Sequence, residues 1–175
     1  DGSSDVCSSD LTHTGTGSLL LGNGARVVNL GSWVDAADGN VHLGTNFGDP
    51  NPFDNVGRFT KTSTFVTVIG GGLQFNNTGT LAGTGSVNGA VSVASGGTVA
   101  PGNSPGILTA DNVTWYGGSF FQLEVTNFNG VAGTSWDLLN VTGALTIITN
   151  GNPFTINLDS MGSSAGAVNF NAAND

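Results

Sequence analysis

Side chains able to do chemistry are scarce in this chain. It carries three Lys and Arg, two His and one Cys against twelve Asp and Glu. Four of the acids, Asp35, Asp38, Asp49 and Asp54, share one stretch with Asn40, Asn51 and Asn55. Carboxylate and amide oxygens of this kind suit a hard cation such as Ca²⁺. Their spacing fits neither an EF-hand loop nor the Gly-Gly-x-Gly-x-Asp nonapeptide. Solvated carboxylates are the preferred reading, and no metal or cofactor is assigned. Polysaccharide hydrolysis needs two carboxylates at a set separation, and lyase chemistry needs a base with a cation beside it. Only Arg26, Arg58, Lys61, His13 and His42 are available for the second, and Asp54 with Arg58 is the nearest approach to a pair. No catalytic residue is assigned, and the chain is expected not to be an enzyme. Trp115, Tyr116, Phe120, Phe121, Phe128 and Trp136 suggest a sugar-stacking platform, but packing is the preferred role for them.

The elements that must position these residues are short. Apolar strings of three to five residues alternate with glycine and asparagine: Val27-Val28-Asn29-Leu30 before Gly31, Phe65–Ile69 before Gly70-Gly71-Gly72, Leu73-Gln74-Phe75 before Asn76-Asn77. Such strings are strands and the interruptions are turns. With 29 glycines and few Glu, Lys, Gln or Arg, a helical protein is excluded. The net charge of −9 excludes nucleic acid as a partner, because phosphate contacts need Lys and Arg. No apolar run is long enough for a membrane-spanning helix.

Thr80–Gly106 is the most regular segment. Leu81, Val87, Val91, Val93 and Val99 are predicted to face inward, with Gly83, Gly85, Gly89, Gly96 and Gly97 at corners. Strands this short gain stability when the chain coils and each turn stacks on the last, at roughly 20 residues per coil. The prediction is therefore an all-β solenoid over residues 12–110. Asp35–Lys61, with Pro50 and Pro52, is read as an irregular loop leaving it. Residues 111–175 are read as a C-terminal β continuation or cap, more irregular, partly antiparallel and truncated. There, Gly117-Gly118 between two aromatic strings signals a hairpin. Phe121, Leu123 and Val125 alternate with Gln122, Glu124 and Thr126 as a strand with one wet face.

Two resemblances extend this reading. Residues 1–11, Asp-Gly-Ser-Ser-Asp-Val-Cys-Ser-Ser-Asp-Leu, are similar to the translation of a short-read sequencing adapter, with Gly2 in place of Trp. They are set aside from the fold on that ground, and Cys7 with them. Gly83-Thr84-Gly85-Ser86-Val87, Ser95-Gly96-Gly97-Thr98 and Ala100-Pro101-Gly102-Asn103-Ser104-Pro105-Gly106 resemble the autotransporter-associated β-strand repeat of bacterial exported proteins. Asp137–Gly143 fits the same family. Pro153–Phe170 resembles the segment that follows such repeats in proteins with a Pro-Glu-Pro C-terminal sorting signal. Good coverage runs over about residues 70–160.

The resemblance implies a right-handed parallel β-helix, exported to the cell surface, the outer membrane or the medium. The family's role is structural or adhesive, with surface glycans or neighbouring cells and matrix as partners. It supplies no catalytic residue and no membrane insertion in this segment. The alternative from another class is a carbohydrate-active or carbohydrate-binding β-helix protein.

Overall fold

The computed structural model describes residues 4–7, 10–21, 24–45, 51–70 and 73–160. Among the described residues there is no helix, and every pairing between named strands is parallel. The chain opens with β1 (Ser4–Cys7) and β2 (Leu11–His13), and then makes successive passes. The first holds β3 (Leu19–Leu21), β4 (Arg26–Asn29) and β5 (Ser32–Asp35). The second holds β6 (Val41–Thr45), β7 (Pro52–Asn55) and β8 (Arg58–Lys61). The third holds β9 (Val66–Ile69), β10 (Gln74–Asn77) and β11 (Thr80–Gly83). Next come β12 (Gly85–Val93) with β13 (Thr98–Pro101), then β14 (Ile107–Tyr116) with β15 (Phe120–Val125). The last pass holds β16 (Leu138–Val141), β17 (Leu145–Ile148) and β18 (Thr155–Ser160).

Each pass lies against the one before it, so side chains form columns. Trp33 lies opposite Phe59, followed by Leu81, Val99, Phe121 and Ile156. Val27 starts a second column through Phe53, Phe75, Val91, Val113 and Leu145. Val41, Thr67, Val87, Ala110 and Val141 form a third. The inward residues of all three columns meet in one apolar core. Within it, Phe53 and Phe75 stack with centroids 5.2 Å apart, and Trp33 and Phe59 stack at 6.1 Å. β12 and β14 each serve two columns. β12 pairs with both β9 and β10, and its register with β14 slips between Val87 and Ala90, at Gly89.

The predicted inward residues Leu81, Val87, Val91, Val93 and Val99 are all buried. Gly83, Gly85, Gly89 and Gly96 have the positive φ expected of corners; Gly97 does not. Three expectations need correction. Asp35–Lys61 is not a loop, because it contains β6, β7 and β8. Pro52 is tolerated because it occupies the first position of its strand. The C-terminal region through Ser160, expected to be partly antiparallel, is built from parallel strand pairs, and β14 and β15 do not pair with each other as a hairpin would. Each pairs in parallel with the pass before and the pass after. Gly118, at φ +80°, turns a corner into another column and does not reverse the strand. Antiparallel geometry in this region is confined to one isolated bridge, Val125 to Trp136. Finally, β1 pairs with β4 and β2 with β5, so the ladders extend into the stretch that resembles an adapter.

Candidate functional site

Of the four acids weighed as cation ligands, the three among the described residues do not converge. Asp38 is exposed, and its carboxylate accepts from the Gly15 amide at 3.2 Å. Asp54 lies on the outer face of β7, paired with Arg26 at 2.5 Å and accepting from the Asn76 amide at 2.8 Å. Its partner is thus not Arg58, which is exposed at the start of β8. Asp49 lies outside the described residues. Asp35 is fully buried. No group of three metal-ligating side chains occurs among the described residues.

Asp35 sits instead in a cluster made by strand register. His13 on β2, Asp35 on β5 and Lys61 on β8 occupy successive levels of one column, with Gly83 next. An inward-pointing end position on each strand thus stacks a base, an acid and an amine. The Lys61 ammonium lies 3.8 Å from Asp35 Oδ2, and His13 Nδ1 lies 3.4 Å from Asp35 Oδ1. Thr67 Oγ1 donates to Oδ2, and the Ala37 amide reaches Oδ1 at 3.4 Å. Lys61 also donates to the Ser63 carbonyl at 3.1 Å and to the Ser63 hydroxyl. Lys61 and Asp35 expose essentially no side-chain surface, whereas His13 retains 16%. Burial lowers the Lys61 pKa from its ordinary value, against the neighbouring Asp35 charge, which raises it. His13, Asp35 and Lys61 therefore meet, with Asp35 and Lys61 closed inside the wall and His13 partly open at its edge.

A second polar knot closes the long connection between β15 and β16. The buried Asp137 carboxylate accepts from the Gly106 amide through Oδ1 and the Glu124 amide through Oδ2, each at 2.8 Å. It thereby anchors the end of the Pro101–Gly106 motif. Burial raises the Asp137 pKa, and the two amide donors lower it. Burial also raises that of Glu124, helped by the charges of Asp137 and Asp159.

A third polar feature was not foreseen. Asn29, Asn55 and Asn77 are buried in one column. Each amide donates to the next oxygen at 2.7 Å, from Asn29 to Asn55 and from Asn55 to Asn77. Each amide nitrogen also donates to a main-chain carbonyl: that of Arg58, Thr80 or Thr98 in turn. The ladder runs inside the fold, where it satisfies the chain as it turns from one strand to the next. The available signal was the recurrence of Asn-x-Gly at 29–31, 55–57 and 77–79.

The aromatic side chains do not share one exposed strip. Trp115 is buried against Phe121 and Phe154, with centroids 5.8 and 5.6 Å away. Trp136 and Phe128 line a separate hollow with Leu123 and Val125. A larger hollow of about 230 Å³ opens at the last pass between Trp115, Phe121, Leu139, Leu145 and Ile156. No helix is long and apolar enough to cross a membrane among the described residues. No family model, no curated protein and no solved structure matches this chain.

Proposed function

We propose that the chain is a right-handed parallel β-helix, exported to the bacterial surface, where it acts as a structural or adhesive scaffold without catalytic chemistry. One observation carries the reading. The chain visits the same three columns in the same order on every pass from β3 to β18, always in parallel. A parallel return to the same side requires the chain to wind, and a right-handed crossover is the general rule. Winding satisfies nearly every backbone group from above and below, so the chain holds a shape with few charges. The polar clusters support the same reading, because they are used up inside the wall. The repeat resemblance of residues 83–106 agrees with it.

Two measurements test the proposal. Protease treatment of intact source cells should remove the protein from the cell surface, or antibody should find it in the medium; retention inside the cytoplasm overturns the reading. Incubation with pectin, alginate and xylan should release no reducing ends. Release that depends on this chain would make it a carbohydrate-active enzyme instead.

A further inference from the structure

We infer that Lys61 and Asp35 are joined by an amide bond between their side chains, a covalent rung between two successive strands. Four observations point to this site. The two residues are register partners on β8 and β5, so the backbone itself holds amine and carboxyl together. Nζ lies 3.8 Å from Oδ2, with both side chains closed to water. Thr67 Oγ1 donates to Oδ2, the oxygen on which negative charge develops during attack at Cγ. His13 faces the other oxygen.

The histidine geometry settles where a proton resides. His13 Nε2 lies 2.7 Å from the Gly17 carbonyl, which only accepts, so Nε2 carries hydrogen. Nδ1 is buried, has no hydrogen-bond partner, and lies 3.4 Å from Asp35 Oδ1. Nδ1 therefore faces the carboxyl as a lone-pair acceptor, free to take up a proton and pass it on. The condensation then balances. One ammonium proton passes to the carboxyl and comes to rest on Oδ1, leaving a neutral amine and a neutral acid. Nζ attacks Asp35 Cγ and loses its second proton to His13. Oδ1 accepts that proton and leaves as water on the partly open His13 side, while Oδ2 remains as the amide oxygen. One C–O bond breaks, one C–N bond forms, and nothing is oxidised or reduced. The lowered basicity of Lys61 assists the attack. Formation of the amide also removes two buried charges that are costly to keep. Fixed juxtaposition replaces the encounter that makes such condensations slow in solution.

The test is the intact mass of the folded, monomeric chain after denaturation. The wild type should be lighter than its sequence by one water. Tryptic digestion should yield the Val27–Arg58 peptide branched at Asp35 onto the peptide beginning at Phe59, with no cleavage after Lys61. Lys61→Met should restore the full mass. A succinimide at Asp38-Gly39 would also lose water, but would persist in Lys61→Met, so water loss in that variant overturns the proposal. A folded wild type at full mass also overturns it, whatever the variants do. In a cell-free synthesis time course, His13→Ala should form the bond about a hundredfold more slowly. Formation at the wild-type rate removes His13 from the reaction.

Discussion

Single side chains in this protein matter through what lies one layer away. Asn55 accepts from Asn29 below and donates to Asn77 and to the Thr80 carbonyl above. Asn55→Ala leaves the Asn77 oxygen and the Thr80 carbonyl buried without that donor. Such a loss costs about 1–3 kcal/mol, read as a lower urea midpoint at unchanged m-value. A variant at the wild-type midpoint would mean that water replaces the ladder. Glu124 supplies a pH prediction. Its pKa and that of Asp137 are raised in the fold, so the folded state holds these protons more tightly than the unfolded chain does. The resulting stabilisation is complete below the unfolded carboxylate values and is lost as pH rises through the folded ones. Stability should therefore fall on going from acidic conditions towards neutrality, within the contribution of this pair. Glu124→Gln should flatten part of that fall and leave the variant relatively more stable at neutral pH. Urea titrations at acidic and neutral pH check it; an identical slope in both proteins refutes the assignment.

At the scale of the strand, glycine decides where a pass turns. Gly89 has φ +131°, and an added Cβ would lie 2.1 Å from the Ile69 carbonyl oxygen. Gly89→Ala should thus cost about 3 kcal/mol through strain and forced displacement of β9. Gly151 also has positive φ, but an added Cβ would meet nothing within 4 Å. Gly151→Ala should cost only about 1 kcal/mol. Equal thermal shifts for the two variants would show that backbone conformation alone matters, without the close approach. The comparison also explains what the sequence makes legible. Alternating apolar strings exposed the inward valines of β12 and β13, because period two survives in any sheet. It did not separate a loop from a strand at Asp35–Lys61, because Asp35, Asn55 and Lys61 fill inward positions there with polar groups. Local polarity argued for solvent, and stacking on polar neighbours overrode it. Gly117-Gly118 carried the same ambiguity: a corner between columns and a hairpin need the same backbone freedom. Only the partners of β15, β13 and β18, decide between them. The four acids shared a stretch of sequence, yet strand alternation sends Asp35 inward and Asp54 outward.

Across the molecule, stability should follow a gradient from the middle passes to the ends. Interior passes have neighbours on both sides, and Phe53 and Phe59, in contact within one pass, both contact Phe75 on the next. The last pass has a neighbour on one side among the described residues. Leu145, Ile147, Ile156 and Leu158 there remain 51, 45, 55 and 53% exposed. In an array whose units touch only adjacent units, free energy is the sum of unit and interface contributions, so an end opens before the centre. Hydrogen exchange should be slowest in β7, β8, β10 and β11 and fastest in β16, β17 and β18. Val93→Asp then separates fraying from cooperative loss. Val93 lies between Asn77 and Trp115 in the column, at the point where amide ladder gives way to apolar packing. A carboxylate buried there has no partner to neutralise it. If the layers are one cooperative unit, protection drops in β7 and β8 as well as in β12. Protection lost only in β12 and β14 would show that each pass holds its own stability, and that the columns join units which unfold separately.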